Sequence, residues 1–216
     1  MTLDFELARQ NMVSNQVRTW EVLDARVLDV LAALHREDFV PAEYRGMAFA
    51  DLGLPLGHGE VMMKPVVEGR MLQALELAAT DNVLEIGTGS GFITACLARL
   101  AGHVTSLDIH AEFTATARAA LRAAGCDNAE AITTEAVREF APAQRYDAIA
   151  VTGAVATLPQ RWLGWLKPGG RLFVVQGRAP AMQATLLRVA AGTTEILFET
   201  DLPYLQHAAP VPRFVL

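Results

Sequence analysis

The stretch Val83 to Phe92, "VLEIGTGSGF", decides how the rest of the chain is read. Val83 to Ile86 form a short apolar strand, and Gly87, Gly89 and Gly91 lead straight into "ITACLARLA", which is apolar at helical spacing. Glycines at that junction permit a sharp turn and close backbone approach to a ligand. They stand beside a helix amino end whose N–H groups favour polar or anionic groups. The spacing is GxGxG, whereas a dinucleotide fold prefers GxGxxG, so a pyrophosphate-binding dehydrogenase is the weaker match. Glu85 lies inside the strand, where a buried carboxylate is costly unless loop amides or a cationic ligand group pair with it.

Outward from this stretch, short apolar runs alternate with helical ones: "VTSL", then "FTATARAALRAA" closed by Gly125, then "AEAIT", "YDAIAVTG" and "RLFVVQG". Such alternation predicts a doubly wound α/β sheet of mostly parallel strands, buried on both faces. Asp108 ends the second strand, where an acceptor for ribose hydroxyls is expected; it could also cap the helix that follows. Pro159 opens a helical "PQRWLGWL", and "QATLLRVA" with "TEILFET" predict a C-terminal antiparallel hairpin. Before the core, "DARVLDVLAAL" predicts a helix capped by Asp24, "DLGLPLGHGE" reads as loop, and Pro65 opens the helical "VVEGRMLQALELAA". The expected division is residues 1–64 as a helical lid with a substrate loop, and 65–216 as the cofactor domain.

Composition narrows the partners. The chain has 216 residues, 52% of them hydrophobic and 19% charged, with a formal charge of -6. That charge, with dispersed lysines and arginines, opposes nucleic-acid binding. No apolar run suits a membrane span and no export signal is read, so a cytoplasmic location is expected. Cys96 and Cys126 show neither CxxC nor zinc spacing, and the five histidines (His35, His58, His103, His110 and His207) form no HExxH pattern. No metal is assigned.

The glycine turn, Glu85 and Asp108 together resemble an S-adenosylmethionine-dependent methyltransferase of the seven-stranded kind. The resemblance narrows with "MVSNQVRTWEVLDARVLDVLAALHREDFVP", "LPLGHGE" and "KPVVEGRMLQALEL", which are similar to the protein-L-isoaspartate O-methyltransferase family up to Gly177. It implies methyl esterification of an isoaspartyl carboxylate in damaged proteins. The cofactor residues it implies are Glu85, Gly87, Thr88, Gly89, Gly91, Asp108 and Ile109, with Glu135 for the adenine amine and Thr152 beside the transferred methyl. Glu135 reads equally as a solvated residue at a helix start.

The chain departs from the family where a serine or threonine hydroxyl sits beside the acceptor carboxylate. Met63 occupies that place, Glu60 replaces the usual glutamine and Val61 a threonine. An ionised carboxylate is already a competent nucleophile at neutral pH, so the reaction rests on positioning more than on proton transfer. Loss of one hydrogen bond to a charged acceptor costs about 1.5–3 kcal/mol, or roughly 10- to 100-fold in rate. Lys64 and His58 are candidate replacement donors. Met62 and Met63 also suit a neutral or apolar acceptor. A third alternative is a cofactor-binding scaffold without turnover.

Overall fold

The computed structural model describes residues 4–211. Helix α1 (Phe5–Asn11) is capped by Asp4, whose carboxylate accepts from Leu7 N at 3.1 Å. It continues through a wide turn, Met12–Val17, and a tight one, Arg18–Trp20, before α2 (Ala25–Ala33). Asp24 caps α2 as expected, accepting from Arg26 N at 2.9 Å, and Val27, Leu31 and Leu34 are buried along one stripe. The stretch read as loop is instead a two-stranded antiparallel hairpin, β1 (Leu54–Gly57) and β2 (Glu60–Met62). Its tip is made of Gly57, His58 and Gly59, all at positive φ, which is the punctuation the sequence showed without the pairing on either side.

Helix α3 (Pro65–Ala74) leads to β3 (Asn82–Ile86), α4 (Phe92–Leu100), β4 (His103–Asp108), α5 (Ala111–Ala123) and β5 (Ala129–Thr133). Then come β6 (Tyr146–Val155), β7 (Leu166–Arg178), β8 (Ala181–Arg188) and β9 (Thr193–Thr200). The seven-stranded sheet runs β5-β4-β3-β6-β7-β8-β9, parallel from β5 to β7 and antiparallel beyond. From β3 the chain builds outward through β4 and β5, then returns to add β6 on the other side. That reversal leaves a crevice at the carboxyl ends of the central strands.

Two expectations are corrected. "PQRWLGWL" forms a 3-10 turn, Gln160–Trp165, and not an α-helix. Three residues per turn set Trp162 and Trp165 on one side, where both are buried. Burial on both faces also fails at the far edge: β7, β8 and β9 follow one another without a crossover helix, and Ile196 on β9 is 58% exposed.

The N-terminal segment shares its core with the sheet. Met12, Val17 and Leu31 belong to the same buried cluster as Val83 and Phe173. No helix of the described residues is long and apolar enough to cross a membrane.

Candidate functional site

A cavity of about 610 Å3 opens where the strand order reverses. Gly87 and Gly89 line it after β3, Asp108 and Ile109 at the end of β4, Glu135 just past β5, and Thr152 within β6. These six residues, named from sequence, meet in one place because parallel strands present their carboxyl ends together.

Gly87 holds φ at +102°, and a Cβ there would lie 2.3 Å from Thr152 Oγ1. The Thr152 hydroxyl donates to the carbonyls of Ile86, at 3.0 Å, and Gly87, tying β6 to the turn. Gly91 serves a different purpose from the one expected of it. It does not line the cavity, and a Cβ on it would meet Ala117 Cβ at 2.8 Å, so it lets α4 pack on α5.

Glu85 also stays out of the cavity. It is fully buried, and its Oε2 accepts from the hydroxyls of Ser106, at 2.6 Å, and Thr94, in place of the loop amides or ligand cation expected. Thr88 Oγ1 joins the same cluster at 2.6 Å from Ser106 Oγ. Burial pushes the Glu85 carboxyl up to about 8, against the pull of the two hydroxyls. Burial thus favours the protonated carboxyl, which braces the turn from behind.

The two rim carboxylates are held by backbone amides. Asp108 accepts from Gly89 N at 2.8 Å and His110 N at 2.9 Å. Glu135 accepts from Val137 N at 2.6 Å and Arg138 N at 2.7 Å, and it is buried, not solvated. Each carboxylate oxygen keeps a lone pair for a further donor. From across the cavity β1 and β2 contribute Leu56, Glu60 and Val61. Burial, and then the charge of Asp108, raise the Glu60 carboxyl above its usual range. Three carboxylates thus face one cavity, and no lysine or arginine among the described residues lines it. Such a site suits a ligand carrying positive charge and hydroxyl or amine donors.

A smaller recess of about 280 Å3 shares Leu56, Val61, Gly87 and Thr152 with this cavity. Met62 and Met63 line it and are buried; Ser90 and Glu68 line it too, and neither was singled out from sequence. Ser90 Oγ accepts from Phe92 N at 3.3 Å, which leaves its own proton free to donate. Glu68 is paired through Oε2 with the fully buried Arg36, whose guanidinium also donates to the carbonyls of Met63 at 2.8 Å and Ala48 at 2.7 Å. Its Oε1 has no partner among the described residues, and burial pushes the carboxyl up to about 7 despite Arg36. Neither candidate donor reaches the recess: Lys64 lines a groove with Trp20 and Asp201, and His58 turns at the hairpin tip to Glu112.

The model of the protein-L-isoaspartate(D-aspartate) O-methyltransferase family matches residues 7–201. The chain belongs to that family. A relative in Koribacter versatilis named protein-L-isoaspartate O-methyltransferase is 38% identical over 189 residues, covering 87% of this chain and 85% of its own. One of the same name in Myxococcus xanthus is 39% identical over 168 residues, covering 78% and 79%. The fold matches that of a Plasmodium falciparum chain described as a putative enzyme of the same name and solved in complex with S-adenosyl-L-homocysteine. That match has a TM-score of 0.78 at 15% identity, over 95% of this chain and 99% of the other. Membership explains why glycine turn, carboxylates and GHG hairpin occur together.

Proposed function

We propose that the chain transfers the methyl group of S-adenosylmethionine to the carboxylate of isoaspartyl residues in damaged proteins, as its relatives are named to do. The observation that carries this is the convergence of Gly87, Asp108 and Glu135 on one cavity that three carboxylates make receptive to a cation. When bound, S-adenosylmethionine supplies an electrophilic methyl on a sulfonium. Asp108 would accept from its ribose hydroxyls, Glu135 from its adenine amine, and the turn at Gly87 and Gly89 would admit its amino-acid portion. Leu107, Ile109 and Val137 supply apolar walls that exclude water around the base.

The recess beside Met63 is the acceptor side of this reading. An isoaspartyl carboxylate arrives ionised and needs no base, so the protein's task is to hold one oxygen in line. Met63 cannot donate, and Ser90, which lines the same recess, takes over that bond. The first 64 residues act as the lid, with Leu56, Glu60 and Val61 closing over the cofactor. A cytoplasmic location accords with two unpaired cysteines.

The test is a labelled-methyl assay with an isoaspartyl peptide and its aspartyl counterpart. A base-labile methyl ester on the isoaspartyl peptide alone is expected. Binding of S-adenosylhomocysteine without ester formation on either peptide would refute the acceptor while keeping the cofactor.

A further inference from the structure

The fold brings together three metal-ligating side chains that sequence spacing kept apart. His58 sits at the tip of the β1–β2 hairpin, His110 immediately precedes α5, and Glu112 lies in its first turn. One ligand atom from each lies within 4.8 Å of the other two. The two imidazoles stack at 4.0 Å between centroids, and His58 Nε2 contacts a Glu112 carboxylate oxygen. The Gln206 amide lies 3.1 Å from His110 Nε2; with its oxygen turned toward the ring it would accept from Nε2–H and leave Nδ1 for an ion. An acceptor in that place fixes the tautomer and orientation of a ligating histidine. Phe113 packs edge-on against both rings.

We propose that His58, His110 and Glu112 form a divalent-cation site that ties the hairpin to α5 across the rim of the cofactor cavity. Two imidazoles and one carboxylate are a donor set that suits zinc, with a fourth position left to water. Ligands around a tetrahedral ion at roughly 2.0–2.2 Å stand about 3.3 Å apart, so the ligand atoms must draw in from within 4.8 Å and the stacked imidazoles must turn until both in-plane lone pairs point at the ion. His58 has φ +54° between two positive-φ glycines, and a β-carbon at either glycine would meet nothing within 4 Å, so the tip is free to adjust. The site bridges walls of one chamber: Leu56 and Glu60 flank the hairpin tip, while His110 and Phe113 line the cavity from the α5 side. A bound ion would therefore oppose opening of the hairpin and slow exchange of whatever the cavity holds. That consequence rests on the cofactor reading above; the metal site does not.

The experiment titrates metal-free full-length protein with zinc chloride in a calorimeter, without cofactor. One zinc per chain is expected. Affinity should fall by about tenfold or more in His58→Ala, in His110→Ala and in Glu112→Gln, since even outer partners of a metal site are worth that much. His103→Ala, which removes a surface imidazole beside Glu130, should leave the isotherm unchanged. Cobalt(II) should give the visible absorption of a tetrahedral site in wild type and lose it in His58→Ala. His58 and Glu112 are exposed and His110 is half-buried, and thermal melts without metal confirm that each variant is folded. Equal zinc binding by wild type and the His58→Ala/His110→Ala double variant would overturn the site. For the latch, zinc should slow release of S-adenosylhomocysteine from wild type but not from His58→Ala. Zinc bound with release unchanged would overturn the latch. Failure of S-adenosylhomocysteine to bind at all would instead count against the cofactor reading, with the zinc isotherm still decisive for the site.

Discussion

The hydroxyl of Thr152 fills the space that a β-carbon on Gly87 would need, 2.3 Å away, and fastens β6 to the turn that begins the cofactor cavity. Glycine is thus required at 87 by its neighbour as well as by its φ of +102°. Gly87→Ala should weaken S-adenosylhomocysteine binding by about 5- to 150-fold, the equivalent of about 1–3 kcal/mol of backbone strain. Gly46→Ala, with open space around it and no positive φ, is the matched control. Gly91→Ala should instead lower the melting temperature, because its β-carbon would meet Ala117 on α5. Calorimetry and thermal melts on the three variants separate the two effects. Unchanged affinity in Gly87→Ala would show that the turn does not face the ligand.

Asp108 already accepts two backbone amides, so its side chain is preset before any ligand arrives. Asp108→Asn keeps the shape but gives up the charge and sets an amide NH2 against one of the two backbone N–H donors. Affinity for S-adenosylhomocysteine should drop by about tenfold or more, as for loss of a charge-assisted hydrogen bond. Competitive binding against the cofactor measures it, and an unaltered constant would remove Asp108 from the site.

On the acceptor side, Ser90→Ala should lower kcat/KM for an isoaspartyl peptide by about 10- to 100-fold, with little change in cofactor affinity. Met63→Ser should restore part of that loss in the double variant, since it returns a hydroxyl to the same recess. Steady-state kinetics of the two single variants and the double variant decide the matter. Full activity in Ser90→Ala would mean that the acceptor is held elsewhere.

Two buried carboxyls make folding stability depend on pH. Glu85 moves from an ordinary value of 4.5 up to about 8, and Glu68 up to about 7. Between those limits the folded chain retains protons that the unfolded chain gives up. Stability is therefore greatest below pH 4.5 as far as these groups are concerned, and declines as pH rises through 7 and 8. A tenfold difference in proton affinity between the folded and unfolded chain is worth about 1.4 kcal/mol, so the combined decline is on the order of a few kcal/mol once relaxation around the buried charges is allowed for. Glu85→Gln retains an acceptor for Ser106 and Thr94 but carries no titrating proton, and its urea midpoint should vary less between pH 5 and 8 than that of wild type. An identical slope in the variant would show that Glu85 titrates normally.

The strand, glycine turn and helix around Gly87 were readable because each obeys a local rule: period two or 3.6, positive φ, capping by Asp24. Asp108 was singled out by its position at a strand end and Glu135 by the family resemblance, and parallel topology brings both to one rim. Local patterning did not reveal that "LPLGHGEVM" pairs with itself, because strands of four and three residues carry too little alternation to register. Nor did it reveal that Glu85 faces hydroxyls behind the turn and not the cavity.

What the sequence determined by itself was the kind of fold, the family and the identity of the residues after β3, β4 and β5, since these depend on contacts within a few residues. The tertiary structure alone decided which side chains meet. Glu60 and Asp108 line one cavity, Ser90 and Met63 line one recess, and His58 comes to rest on His110 and Glu112. Each of these meetings joins the hairpin to the sheet domain. Their geometry is set by how the N-terminal segment docks through the shared core of Val17, Leu31 and Phe173, a packing whose partners no periodicity along the chain can specify.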